Sequence, residues 1–184
     1  MILPRDIIIV QPALPRYRLD FFQRLSEHFG DSFRVIHAGA ALGDLTRAPD
    51  PAWAQRSGPL RRIGPGVEWQ PGVAGLPVGP GSIIVLSGNP RQLSTLLLLI
   101  RARLSGATVI WWGHLWSATS RRWRQTLRFM PMRLAHGLLF YTEAEAARFR
   151  ERPPFPLGAR AVAGLDNGID TDPIIAVRAP YVSV

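Results

Sequence analysis

The chain has 184 residues, 47% of them hydrophobic, with 22 Lys+Arg against 13 Asp+Glu and a net charge of +9. That length suits one domain of roughly 100–200 residues and leaves no room for two. Every basic side chain is arginine and there is no cysteine. Disulfides, thiolate metal sites and cysteine nucleophiles are therefore excluded, and anionic partners such as phosphates or an acidic membrane surface are favoured.

Ile7-Ile8-Ile9-Val10 is a continuous β-branched run, as expected of a parallel strand covered on both faces, and the turn-rich Gln11-Pro12-Ala13-Leu14-Pro15 follows it. Leu19, Phe22, Leu25 and Phe29 then recur at helical spacing up to Gly30, which predicts an amphipathic helix. Phe33 to Ala38 reads as the next strand of a right-handed βαβ unit. Residues 39–81 are rich in Gly and Pro and predict long surface loops, with short strands around Leu60–Ile63 and Val67–Trp69.

Alternation resumes with a strand at Ile83–Leu86, a helix from about Pro90 to Leu104, Gly106 as its stop, and a strand at Thr108–Trp111. Pro90 suits the first turn of that helix. A basic helix over Ala118–Leu134, a strand at Leu138–Tyr141, a helix starting at Thr142 with the Thr142/Glu145 capping-box spacing, and a strand at Arg160–Ala163 complete the series. Such repetition predicts an α/β fold, a Rossmann-like, doubly wound, mostly parallel sheet flanked by helices.

In order, Ile7 to Pro15 with Tyr17-Arg18, Gly88-Asn89-Pro90, Trp111-Trp112-Gly113-His114, Phe140-Tyr141-Thr142-Glu143-Ala144-Glu145 and Asp166-Asn167-Gly168-Ile169-Asp170 resemble the N-terminal, acceptor-side half of GT-B glycosyltransferases, particularly the retaining class that uses nucleotide sugars. The resemblance implies one of two Rossmann-like domains facing each other across a cleft, the second holding the donor. An Asn-Gly-Ile-Asp-like segment precedes the crossing to that second domain in the family. Only residues 171–184 follow here, so the expectation is an acceptor domain over 1–164 and a linker stub or tail over 165–184. An enzyme needs both reactants positioned, so activity is expected only when a donor domain completes the site.

The resemblance makes His114 the candidate catalytic residue, in a loop at a strand's carboxyl end where open α/β sheets bind ligands. The candidate acceptor-binding residues are Tyr17, Arg18, Asn89, Gly113 and Trp116. The plainer reading of the first pair has Tyr17 packed and Arg18 solvated, and turn chemistry alone accounts for Gly88-Asn89-Pro90. Trp111 and Trp123 are expected in the core, and Trp116 to touch ligand. Arg121, Arg122, Arg124 and Arg128 are candidate membrane or anion contacts, on a helix whose apolar line of Trp123, Leu127, Met130 and Leu134 would otherwise pack on the sheet.

The Gly-rich stretch 71–81 lacks the lysine of a P-loop, and no Gly-x-Gly-x-x-Gly follows the first strand, so nucleotide-dependent dehydrogenase chemistry is set aside. His28, His37 and His136 show no metal-ligand spacing and read as structural. No cofactor or metal is expected, the nucleotide sugar being a substrate. The expected partners are a saccharide or lipid-linked acceptor, a donor-domain subunit or a second copy, and an anionic membrane surface; nucleic acid is not expected, since no such motif accompanies the charge. The N terminus lacks the features of a signal peptide, and the run Leu96–Ile100 is far short of the ~20 apolar residues that cross a bilayer. The expected location is the cytoplasm, with peripheral contact at the inner face of the membrane. The alternative to an enzyme half is a non-catalytic acceptor-, membrane- or partner-binding domain.

Overall fold

In the computed structural model the described residues are 5–39, 50–115 and 122–166, for 122–127 the backbone only. Among the described residues nine strands and four α-helices follow one another as β1 Asp6–Gln11, α1 Leu19–Phe29, β2 Phe33–His37, β3 Ala54–Arg56, β4 Arg61–Gly64, β5 Val67–Trp69, β6 Ser82–Ser87, α2 Leu93–Leu104, β7 Thr108–Gly113, α3 Arg122–Leu134, β8 Gly137–Phe140, α4 Glu143–Glu151 and β9 Ala161–Gly164. Seven strands form one sheet in the order β3-β2-β1-β6-β7-β8-β9, every neighbouring pair parallel. The chain winds outward in both directions from β1 and β6, which makes a Rossmann-like α/β fold with its switch point between those two strands.

The alternation of side chains along a strand explains why β1 is aliphatic throughout. Ile7 and Ile9 enter the core under α1 with Phe22, Phe33, Val35, Trp53 and Trp112. Ile8 and Val10 enter the opposite core with Ile84, Leu86, Leu98, Trp111, Met132 and Phe149. Helix α1 thus covers one face, and α2, α3 and α4 the other.

Four expectations are corrected here. Residues 50–81 carry more than loops: β3 adds an edge strand, Trp53 closes the aromatic cluster around Phe22 and Phe33, and Gln70 and Val73 are fully buried. A three-residue strand is too short to show a period in sequence. Pro90 lies in the turn before α2, because the Asn89 carbonyl accepts from Gln92 N–H and its side-chain Oδ1 from Arg91 N–H at 3.1 Å, so the helix starts only at Leu93. Met130 and Leu134 of α3 are exposed, and the helix packs on the core through Met132 and Phe129, with Ala135 just past its end. Arg18 is buried while Tyr17 is half exposed, the reverse of a packed tyrosine and a solvated arginine. Trp111 is in the core as expected, and Trp112 joins it. The expected helix start at 118–121, the side chains of Trp123 and Leu127, and the tail from 167 lie outside the described residues.

Candidate functional site

Strands β6, β7 and β8 end side by side, and their carboxyl ends open into a cleft of about 410 Å³ lined by Gly88, Asn89, Pro90, Gly113, His114, Tyr141 and, from α3, Arg128. Two glycines shape its floor. A Cβ on Gly88 would stand 2.7 Å from Gly113 Cα and 2.8 Å from the Trp112 carbonyl oxygen, and one on Gly113 would stand 2.9 Å from Gly88 Cα. Gly88 N–H donates to that same carbonyl at 2.6 Å, so the strands touch backbone to backbone where any side chain would wedge them apart.

His114 follows directly on β7 and is held by a residue from α4. Thr142 caps that helix, its hydroxyl accepting from Glu145 N–H at 3.1 Å. The Glu145 carboxylate turns across the sheet edge to β7. Its Oε1 accepts from Leu115 N–H at 3.1 Å and lies 3.3 Å from His114 Nδ1, while Oε2 is buried without a partner among the described residues. A carboxylate at Nδ1 favours the tautomer protonated there and leaves Nε2 as the free lone pair. The imidazole is 64% exposed and stacks on Tyr141, ring centres 4.1 Å apart. An oriented histidine of this kind can accept a proton from a hydroxyl or, once protonated, donate to a hydroxyl or phosphate oxygen.

Behind Tyr141 lies Arg18. Its Nη1 donates to Gln11 Oε1 at 2.9 Å, and its guanidinium sits 4.5 Å from the Trp112 ring centre and 5.2 Å from that of Tyr141. Arg18 therefore ties the end of β1 to the ring that supports His114, rather than lining the cleft. Tyr17, over which Arg18 also lies at 5.3 Å, points outward from the same corner. Asn89 lines the cleft with its side chain engaged at both ends, Nδ2 donating to Glu68 Oε2 at 3.2 Å and Oδ1 accepting from Arg91.

The positive charge of the cleft comes from Arg128, with Arg91 near its mouth. Neither is ion-paired among the described residues, and burial first, then the charge of Arg91, push the Arg128 guanidinium below the usual arginine value. The field at this wall favours an anionic group. The N terminus of α4 offers nothing of the kind, because carboxylates already fill it: Glu143 N–H donates to Asp166 Oδ1 at 2.6 Å, and Gly164 N–H to Glu143 Oε2 at 3.0 Å. The Glu143 carboxyl is held below its ordinary range by Arg150 and by the Gly164 N–H. Among the described residues no three His, Asp or Glu side chains converge as a metal site would require.

His114, Gly113, Asn89 and Arg128 are thus brought together in the cleft, and Tyr17 and Arg18 lie behind it. Trp116 and Arg121 fall outside the described residues, as do the side chains of Arg122 and Arg124. Sequence reading missed Tyr141, Glu145 as the partner of His114, and Arg91. The capping-box spacing pairs Thr142 with Glu145 as observed, the hydroxyl accepting from the Glu145 N–H, but it does not show that the Glu145 carboxylate reaches His114 and Leu115. The chain matches no known family model, and neither the curated proteins nor the solved structures include a significant match to it.

Proposed function

We propose that this chain is the acceptor-side domain of a GT-B nucleotide-sugar glycosyltransferase, transferring a sugar to a saccharide or lipid-linked acceptor opposite a donor-binding domain. The observation that carries this reading is the oriented His114–Glu145 pair over the glycine floor of an open cleft. It is supported by the convergence of the segments at Tyr17-Arg18, Gly88-Asn89-Pro90, Gly113-His114, Tyr141 to Glu145 and Asp166, far apart in sequence, on one edge of the sheet. That edge is where open α/β sheets bind ligands.

In the proposed reaction an acceptor hydroxyl oxygen bonds the sugar's anomeric carbon as its bond to the diphosphate breaks. The hydroxyl proton passes to the departing phosphate oxygen, and a nucleoside diphosphate leaves. His114 Nε2 hydrogen-bonds a sugar hydroxyl or the phosphate and fixes the reacting groups, while Arg128 and Arg91 offset developing negative charge. The work takes place in the cytoplasm, at the inner face of the membrane when the acceptor is lipid-linked. The second reading, a domain that only binds acceptor or membrane, is favoured by apolar side chains exposed on α2 and α3.

Nucleoside diphosphate release from a panel of nucleotide sugars, with and without acceptors and a donor domain, separates the two. Release that needs the donor domain and falls at least tenfold in His114→Ala is expected, that factor corresponding to about 1.4 kcal/mol. Saccharide binding without release under any combination would support the binding domain. Neither binding nor release would overturn both.

A further inference from the structure

Helix α2, Leu93-Ser94-Thr95-Leu96-Leu97-Leu98-Leu99-Ile100-Arg101-Ala102-Arg103-Leu104, is apolar nearly all round. At 100° per residue, Leu98, Leu99 and Ala102 form the buried face, and Leu93, Leu97, Ile100 and Leu104 form a stripe on the opposite side. The stripe is exposed, Leu104 to 83%. Helix α3 packs alongside and turns Met130 and Leu134 outward as well. Six of the eight large hydrophobic residues exposed among the described ones lie on these two helices, so the patch is concentrated there rather than scattered.

Charge selects what covers it. Between Glu68 and Glu143 the sequence contains no Asp or Glu and eight arginines, 91, 101, 103, 121, 122, 124, 128 and 133. This window alone holds +8 of the net +9. On α2, Arg101 and Arg103 flank the stripe on either side, and Arg133 flanks Met130 and Leu134 on α3. A second copy placed face to face would set arginines against arginines with no acid to pair them. An apolar stripe bordered by cations fits a surface that is apolar inside and anionic at its rim, namely the leaflet of an anionic bilayer.

We infer that the outer faces of α2 and α3 dock the domain on an anionic membrane and so present the cleft to an acceptor carried by a lipid. This rests on the proposed function above and narrows its acceptor class. Helix α2 begins just after the turn that carries Asn89 and Pro90 of the cleft wall, and Arg128 of α3 lines the cleft itself, so a surface docked on these two helices lies beside the site. Among the described residues no helix is long and apolar enough to cross a membrane, so the contact is with one leaflet.

The test is co-sedimentation of the chain with vesicles of phosphatidylcholine alone or mixed with phosphatidylglycerol, at low and high salt. Binding to the mixed vesicles only, weakened by salt and at least tenfold by Leu97→Glu with Leu104→Glu, is expected. Arg101→Gln with Arg103→Gln should weaken it less. Leu97 and Leu104 lie on the solvent side of α2, whereas Arg101 at one flank also donates to the Ala74 and Leu76 carbonyls and Arg103 at the other contacts His136, so an unchanged thermal transition is required of both variants to verify their folding. Equal binding to neutral vesicles, no vesicle binding, vesicle binding indifferent to the Leu97 and Leu104 changes, or a dimer by light scattering that those changes dissolve would each overturn the inference. Binding of a soluble saccharide, measured in parallel, keeps the two readings apart. It is expected to survive the α2 variants and to fail in His114→Ala, so the cleft and the docking face can fail separately.

Discussion

Helices α1 and α2 occupy equivalent places, each joining two adjacent parallel strands and each burying one face on the sheet, yet their outer faces differ completely. α1 shows water Asp20, Gln23, Arg24 and Glu27, with Arg24 paired to Asp20 at 3.0 Å and Gln23 donating to Glu27 at 2.9 Å. α2 shows Leu93, Leu97, Ile100 and Leu104. The inward face of a crossover helix is dictated by the core. Its outward face is free of that demand, so an apolar outward face on one helix of an otherwise ordinary pair points to something other than folding.

The comparison predicts equal inner faces and unequal outer ones. Phe22→Ala on α1, which removes a ring packed on Phe33, Trp53 and Trp112, should cost about 3–5 kcal/mol, and Leu98→Ala on α2 about 2–5 kcal/mol, both by denaturant unfolding. A much smaller cost for Leu98 would mean that α2 is not held by the sheet.

The α1 side also carries a pH dependence. His37, at the end of β2, is buried and accepts Gly39 N–H at Nδ1, with Asp50 Oδ1 3.3 Å from Nε2. Burial lowers its pKa more than Asp50 raises it. The unfolded chain therefore takes up a proton, below a pH of about 6.5, that the folded chain refuses. Stability should fall as pH drops through that region, and His37→Gln should flatten the fall in thermal melts taken across it.

On the outer faces, Asp20→Ala should lose only about 0.3–0.5 kcal/mol with its exposed ion pair. Leu97→Gln should change unfolding free energy by less than about 0.5 kcal/mol, since Leu97 faces away from the core. A large loss there would show that the stripe is part of the fold.

The strands at β1, β6, β7 and β8 were legible because sheet interiors covered on both faces demand unbroken aliphatic runs, and α1 because its one-sided burial leaves a clean helical spacing. β3 was not, since three residues carry no period and its anchor, Trp53, works through contacts with Phe22 and Phe33. Within the site, His114 and Asn89 stood out by their position after a strand. Glu145 was visible as a capping residue, but the partner of its carboxylate lies 31 residues away, just after β7, and local spacing could not name it. Arg18 looked solvated because its partners, Gln11, Trp112 and Tyr141, are spread over 130 residues of chain.

Sequence by itself determined the class of fold, the order of its strands and helices apart from β3, and the corner at which polar residues gather, because periodicity and turn chemistry act over a few neighbours. Only the tertiary structure decided that Glu145 holds His114, that Arg18 is buried beneath Tyr141, and that the leucines of α2 split between core and solvent. Those outcomes depend on which distant segments meet at the sheet edge and on how many sides of a helix the rest of the chain can cover.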